Sequence, residues 1–409
     1  MRSYRKQYRV EQAVILCGGF GTRLGRITLK TPKPLLKFDG IRFLEHLIQN
    51  LSRYNIKEVI LLCHYHYKSF VDRYHNKIIL GISIKCVIEK TPLGTFGAIK
   101  NAKTKLKNYF LLLNGDTYFD INLRDLIVSY NFKKYLGIVA LVKKTGKRFS
   151  KVLLNRKNII SEFNNKKKSS LINSGSYVFS KKICNIKSEK FSSLEKDILP
   201  KIVKKNKLQG KKYLAKHNAF IDIGVPSDFK KVEKFLRKAK SKKAVFLDRD
   251  GVINKDFGYV HKIKDFVWKK NVKKAIKFLN DKNFYTFIIT NQSGVARGYY
   301  KECDIKKLHD WMSYELNKIG AHIDDYFYAV YHSSSKKKYT DKEKKLRKPD
   351  IGMIKLAYSK WKVIKKKSIV IGDNETDIVM AKKANLKSYL VNEKTNLLKI
   401  VKVFHSTTK

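Results

Sequence analysis

Two stretches of this chain place glycines, carboxylates and cations where phosphate chemistry needs them. The first, residues 17–34, reads CGGFGTRLGRITLKTPKP. Gly18, Gly19, Gly21 and Gly25 relieve crowding where backbone N–H groups would face phosphate oxygens. Arg23 offers those oxygens a planar, multi-donor fork, and Lys33, between Pro32 and Pro34, supplies a second cation. The second, residues 246–254, reads FLDRDGVIN and is followed downstream by TNQSG and GDNETD. Asp248 and Asp250 suit divided labour: one carboxylate attacks phosphorus and the other handles the proton of the leaving group. Glycine loops and Asp-x-Asp pairs are each common, and the first stretch is neither a Walker A sequence nor a dinucleotide fingerprint. Their position along the chain carries the argument further.

Apolar runs that read as buried strands recur with helix-length segments between them, at residues 13–16, 59–63, 109–113, 137–142 and 176–179, then 244–247, 285–290 and 368–371. Strand and helix alternating predict an α/β fold with parallel sheets, whose ligand sites lie at the carboxyl ends of the strands. Both signatures follow such a run. An amphipathic stretch at 228–240 predicts a closing helix, and 241–243 a very short linker. A length of 409 residues is long for one core. The expected division is a basic N-terminal extension at 1–11, a first domain at 12–240 and a second at 243–409.

Hydrophobic content of 43%, with 23 Phe and 23 Tyr, excludes wholesale disorder. No apolar run approaches the roughly 18 residues of a membrane span, and MRSYRKQYR lacks the apolar stretch of a signal peptide. Cys17, Cys63, Cys86, Cys184 and Cys303 are scattered, which predicts reduced thiols in the cytoplasm and no metal-binding cysteine pattern. The net charge of +56 invites a polyanion-binding reading. Yet the lysines spread along the whole chain and form no recognition module, so no specific nucleic-acid partner is expected. A homo-oligomer is left open.

The first stretch closely resembles the sugar-phosphate nucleotidyltransferase family, whose signature is GGxGTRL followed by PKP, over about residues 12–237. Further blocks extend the resemblance: EKTPLGTFGAIK at 89–100, LLLNGDTYFD at 111–120, INSGSYVF at 172–179 and FIDIGVPSDF at 220–229. It implies a Rossmann-like mixed sheet and a reaction in which a sugar 1-phosphate oxygen attacks the α-phosphate of a nucleoside triphosphate. It also implies nucleotide contacts at Gly18, Gly19, Gly21, Thr22, Glu89, Gly94 and Thr95, sugar contacts at Asn173 and Gly175, and Mg²⁺ between Asp116 and Asp222, with Arg23 and Lys33 neutralising charge. In one departure, the stretch Phe163-Asn164-Asn165-Lys166 has Asn165 where many members carry a sugar-binding acid. Within the family, NGDTYFD, TPLGTFGA and FIDIGVPSDF are most similar to heptose 1-phosphate guanylyltransferases, from which the expectation of GTP comes.

Asp248-Arg249-Asp250-Gly251, Thr290, Lys348 in RKPD and Asp373 in GDNETD, in that order, strongly resemble the haloacid dehalogenase superfamily. DRDGVIN, TNQSGVARGYY and RKPDIGM resemble its heptose-bisphosphate and histidinol phosphatase branch, over about 243–395. The resemblance implies a capless, Rossmann-like parallel sheet. Asp248 would form an aspartyl-phosphate, Asp250 would act as acid and then base, Thr290 would bind phosphoryl oxygens and Lys348 would balance charge. Mg²⁺ would lie between Asp248, the Asp250 carbonyl and Asp373, with Asp377 supporting from behind, and Asn291, Arg297 and Arg347 would meet the substrate. Members usually carry a zinc loop with a Cys-x-His pair and then Cys-x-Cys, but here the first pair reads Val330-Tyr331-His332 and the later cysteine positions are Lys344 and Leu346, so no zinc is expected. His332 is then expected to be an orphaned loop residue. Together the resemblances predict a chain that dephosphorylates heptose 1,7-bisphosphate and guanylylates the resulting 1-phosphate. The alternatives are another sugar or nucleotide, or only one active domain.

Overall fold

The computed structural model describes residues 10–143, 151–163, 169–213, 219–224, 226–335 and 339–408. The chain divides into two compact units, Met1–Ala239 and Lys240–Lys409.

The first unit is built on strands β1 (Gln12–Leu16), β2 (Glu58–Cys63), β3 (Lys77–Ile79), β4 (Ile82–Ile88), β5 (Tyr109–Asn114), β6 (Thr117–Phe119), β7 (Gly137–Lys143), β8 (Leu171–Ser180), β9 (Leu208–Tyr213) and β10 (Phe220–Asp222). Eight of them form one sheet in the order β9-β7-β8-β5-β1-β2-β4-β3. The apolar runs of β1, β2 and β5 are buried on both faces, as parallel central strands require, and β1 pairs parallel with both neighbours. β8 runs antiparallel to β5 and β7, so the sheet is mixed; strand–helix alternation alone predicts a parallel one. The order of the sheet reverses beside β1, and that is where a crevice opens at the strand ends. A separate ribbon pairs β10 with β6, bringing Asp222 opposite Thr117.

The second unit is a five-stranded, wholly parallel sheet of β11 (Ala244–Leu247), β12 (Tyr285–Asn291), β13 (Asp325–Ala329), β14 (Ile369–Gly372) and β15 (Lys387–Leu390), in the order β13-β12-β11-β14-β15. Its reversal point lies between β11 and β14, the strands that run into Asp248 and Asp373. Between Asn254 and β12 the chain forms only a short 3₁₀ turn (Ile263–Asp265) and a helix (Val272–Asp281), with no inserted cap domain. Apolar side chains cover both faces of the sheet, Leu247 and Ile288 on one and Phe246 and Phe287 on the other. Each fully buried side chain of this size contributes about 1.5–3 kcal/mol.

Two expectations change in detail. The closing helix appears as two pieces, Pro226–Phe229 and Val232–Lys240. The predicted linker is built into the second unit: Lys242 N–H donates to the Lys362 carbonyl at 3.1 Å, its own carbonyl accepts from Ile364 N–H at 2.8 Å, and its ammonium donates to Asn283 Oδ1 at 2.7 Å. A residue whose backbone and side chain are all bonded is no tether.

Candidate active sites

In the first unit β1 delivers Cys17 into the core and turns the chain out at Gly18. A side chain at Gly18 would meet Glu89 Oε1 at 3.1 Å and His64 Cβ at 3.2 Å, whereas Gly19 opens on empty space. Gly21 has φ 74° and packs on Thr28, whose hydroxyl donates to the carbonyls of Gly21 at 3.0 Å and Gly25 at 3.2 Å. Thr28 thus staples the loop, a role that no spacing rule pointed to. Thr22 and Arg23 stand exposed on it. Lys33 is buried, with its ammonium 3.3 Å from Asp116 Oδ2. A Cβ at Gly224 would touch Lys33 Nζ, Asp222 Oδ1 and Asp116 Oδ2, at 2.7, 3.0 and 3.1 Å, so the three charged groups converge on one point beside that glycine. The Gly224 N–H also donates to Asp222 Oδ1 at 2.8 Å.

Glu89, just after β4, accepts from the Leu93 N–H at 3.2 Å, and burial pushes its pKa above the ordinary value. A cavity of about 550 Å³ beside it is lined by residues 64–69 and 88–90. Gly94, at φ 73°, opens the helix Gly94–Asn101 against the Ser192 carbonyl. Thr95 turns inward: its hydroxyl accepts from Leu194 N–H at 2.7 Å and donates to Glu195 Oε2 at 3.3 Å. On the other side of Glu195, the Tyr177 hydroxyl donates to Oε1 at 3.3 Å and accepts from Asn173 Nδ2 at 2.6 Å. Asn173 and Thr95, from separate sequence blocks, are therefore linked through Glu195, a residue that sequence reasoning missed because it lies in no motif. Burial raises the Glu195 pKa, with the charge of Asp116 adding to it. Gly175, at φ 73°, lets the Asn114 side chain approach. Asn165 lies outside the described residues.

In the second unit Asp248 leaves β11 with one oxygen accepting from Arg249 N–H and the other contacting Lys348 Nζ, both at 2.7 Å. Lys348 Nζ is also 2.7 Å from Asp377 Oδ1. Burial opposes the Lys348 cation, but two carboxylates outweigh it and its pKa is raised. Burial lifts Asp248 to about 6 in spite of the Lys348 cation. It lifts Asp373 to about 6 as well, with the charge of Asp248 adding. Carboxylate oxygens of Asp248, Asp373 and Asp377 lie within 4.8 Å of one another. Gly251, at φ 75°, is required here, since a Cβ would fall 1.8 Å from Asp373 Oδ2.

Thr290, at the end of β12, accepts from Gln292 Nε2 at 3.0 Å, and Gln292 also donates to Asp250 Oδ2 at 2.9 Å. Asp250 is further held by the buried Arg249 guanidinium and by Asn254 Nδ2, each at 2.9 Å. Gln292, Asn254 and Arg249 were not singled out from sequence, although all three lie inside the quoted motifs. Asn291 spends both ends of its amide on the Lys348 backbone, at 3.2 and 3.0 Å, and so fixes the segment that carries the lysine. His332 is not orphaned as expected: Arg297 Nη2 lies 2.7 Å from its Nε2.

Removing the cation between Asp248 and Asp377 leaves two carboxylates to face each other in a dry site. Lys348→Met is expected to abolish phosphate release. It is also expected to destabilise the chain by about 3–5 kcal/mol near neutral pH, less in acid where the carboxyls take up protons. Chemical denaturation at two pH values measures this, and an unchanged midpoint would contradict it.

These geometries define the class. A nucleotidyltransferase fold with its own charged centre precedes a haloacid-dehalogenase-type phosphatase fold with another. The chain belongs to the nucleotidyl transferase family, which matches residues 12–239, and the HAD-hydrolase-like family matches residues 345–397. The first unit is similar to the D-glycero-alpha-D-manno-heptose 1-phosphate guanylyltransferase of Campylobacter jejuni, with 39% identity over 222 residues, 53% of this chain and 96% of that protein. The second is similar to the D-glycero-beta-D-manno-heptose-1,7-bisphosphate 7-phosphatase of Rhodopseudomonas palustris, with 42% identity over 151 residues, 37% of this chain and 84% of that protein. It is likewise similar to the alpha-anomer 7-phosphatase of Campylobacter jejuni, with 40% identity over 152 residues, 37% of this chain and 83% of that protein.

Proposed function

We propose that this chain catalyses two consecutive steps on one sugar. It removes the 7-phosphate of D-glycero-D-manno-heptose 1,7-bisphosphate and then joins the 1-phosphate to GMP from GTP, giving GDP-heptose and pyrophosphate. The observation that carries this reading is the similarity of the two units to a 7-phosphatase and to a 1-phosphate guanylyltransferase, so that one product is the other's substrate. The guanylyltransferase relative is named for the alpha anomer, and a shared substrate therefore favours alpha in both steps.

In the phosphatase step an Asp248 oxygen attacks the 7-phosphorus. The bond to the sugar oxygen breaks as Asp250 protonates that oxygen, leaving an aspartyl-phosphate. Asp250 then takes a proton from the water that releases phosphate and regenerates Asp248. Thr290 and Lys348 hold the phosphoryl oxygens, and Gln292 orients both Asp250 and Thr290. In the transfer step a phosphate oxygen of heptose 1-phosphate attacks the α-phosphorus of GTP and pyrophosphate leaves. Arg23 and Lys33 gather the anionic partners, Glu89 and the glycine loop bind the nucleotide, and Asn173, Gly175 and Glu195 face the sugar.

Both carboxylate sets present oxygen ligands alone, which suits a hard divalent cation such as Mg²⁺ and not zinc. Asp116 and Asp222 would hold it in the first unit, and Asp248, Asp373 and the Asp250 carbonyl in the second, with Asp377 anchoring Lys348. When bound, Mg²⁺ supplies charge neutralisation and orientation of the phosphoryl group. Because Asp248 and Asp373 titrate near 6 in the fold, against about 3.9 unfolded, they favour the metal-free fold in acid. That contribution fades as pH rises through 6. Mg²⁺ needs the ionised forms, so its own stabilisation grows over the same range. It is expected to raise the unfolding temperature more at about pH 7.5 than at about pH 5.5, corresponding to roughly 1–3 kcal/mol at saturation. Equal shifts at both would remove these two residues from the metal site.

Among the described residues no helix is long and apolar enough to cross a membrane. A cytoplasmic enzyme supplying activated heptose for a surface polysaccharide fits this reading. The deciding experiment incubates the chain with each anomer of the bisphosphate, GTP and Mg²⁺. GDP-heptose, phosphate and pyrophosphate are expected from the alpha anomer, and phosphate without GDP-heptose from both anomers would end the coupled reading.

A further inference from the structure

Gln292 joins the group that handles the proton to the group that grips the phosphoryl oxygens, and a tyrosine lies behind it. Gln292 Nε2 donates to Asp250 Oδ2 at 2.9 Å and to Thr290 Oγ1 at 3.0 Å, which uses both of its hydrogens. Its Oε1 accepts from the Tyr300 hydroxyl at 2.8 Å. Thr290, Gln292 and Tyr300 are all buried, so a lost partner is not readily replaced by solvent. The Gln292 backbone N–H donates to the Ala329 carbonyl at 2.7 Å, which fixes the main chain and leaves the amide to be placed by its polar contacts. Tyr300 is itself held firmly. It packs against Gly294, where a Cβ would fall 2.2 Å from the ring, and the His261 ring stacks on it with centroids 4.5 Å apart and planes at 13°. Burial pushes its pKa up to about 12, so the hydroxyl keeps its proton and remains a donor.

We infer that Tyr300 is a positioning residue for phosphate release: by donating to Gln292 it holds that amide where it orients Asp250 for proton transfer to the leaving sugar oxygen. The inference rests on the phosphatase reading above. Arg249 and Asn254 both bond Asp250 Oδ1, at 3.1 and 2.9 Å, whereas Oδ2 meets Arg249 and Gln292, each at 2.9 Å. Oδ2 thus depends on Gln292 for its second contact. An amide carbonyl that accepts a hydrogen bond makes its own N–H groups stronger donors, so the tyrosine hydroxyl tightens both bonds at the far end. Thr290 Oγ1 accepts one of them and keeps its own proton for a phosphoryl oxygen. Without the hydroxyl, Oε1 becomes a buried acceptor with no donor, and the amide shifts to find one at the expense of Asp250 and Thr290. Proton delivery then suffers more than phosphate binding, because Lys348 reaches the phosphoryl group without Gln292.

Phosphate release by the full chain with Mg²⁺ tests this on two substrates, heptose 1,7-bisphosphate and 4-nitrophenyl phosphate. A sugar alkoxide leaves poorly without a proton, whereas nitrophenolate leaves without one, so formation of the aspartyl-phosphate needs a well-placed Asp250 only for the first. Tyr300→Phe keeps the ring, its stack on His261 and its fit against Gly294. It is expected to lower kcat/KM about tenfold for the bisphosphate and only about twofold for the aryl phosphate. In a Gln292→Leu background the tyrosine has no amide to hold, and Tyr300→Phe is expected to lower bisphosphate turnover no further. If the aryl phosphate turns over too slowly to compare, this double-variant cycle decides on the bisphosphate. Equal losses on the two substrates, no loss on the bisphosphate, or an undiminished effect in the Gln292→Leu background would each overturn the inference alone. A wild type that releases phosphate from neither substrate would instead overturn the phosphatase reading, and the positioning role with it.

Discussion

Asp248→Asn is expected to lower phosphate release from the bisphosphate by on the order of 10⁴-fold or more, while heptose 1-phosphate and GTP still give GDP-heptose at the wild-type rate. An amide of nearly the same shape keeps the turn after β11 but has no nucleophilic oxygen to form the aspartyl-phosphate. The fold should tolerate the change. Lys348 keeps Asp377 as its partner at 2.7 Å, and the variant removes one of the two carboxylates that burial makes costly. Phosphate release and pyrophosphate release, measured on the same preparation, separate the outcomes. Residual turnover within tenfold of wild type would move the nucleophile elsewhere, and a parallel loss of transfer would mean that the substitution damages more than its own site.

The converse is expected of Asp116→Asn. Transfer should fall by about 10³-fold, through lost metal binding and lost neutralisation of two anionic reactants, and phosphate release should persist. Asp116, Asp222 and Lys33 converge within touching distance of one glycine. Removing the Asp116 charge leaves the buried Lys33 ammonium without the carboxylate now 3.3 Å away. Lys33 would then repel the cation that Asp222 alone must hold, and the variant should require more Mg²⁺ for whatever activity remains. A variant with normal transfer at ordinary Mg²⁺ would exclude Asp116 as a ligand.

Much of this was legible in sequence because the chemistry sits where strands end. The runs that became β1, β5, β11, β12 and β14 are short, apolar and followed by the residues proposed to act, so the periodicity signal and the motif signal coincide. Thr28, Glu195 and Gln292 were not legible for a common reason. Each acts through a partner distant in sequence or through a hydrogen bond whose direction spacing does not report. Thr28 closes on a carbonyl seven residues back, and Glu195 joins Thr95 to Tyr177. Asn291 and His332 show the reverse. Their positions were noted, but spacing did not report that the amide of one bonds the Lys348 backbone or that the ring of the other lies 2.7 Å from an arginine.

Residue order by itself determined the two α/β units and the two kinds of phosphate chemistry. Glycines, carboxylates and cations after apolar runs leave few other arrangements for a chain that must bury those runs. Tertiary structure alone decided which charges meet. Lys33 faces Asp116, Lys348 lies between two carboxylates, and Arg297 and His332 share a hydrogen bond. Coulombic and hydrogen-bond energies depend on separations of a few ångströms, and sheet order and turn geometry set those separations where spacing along the chain does not.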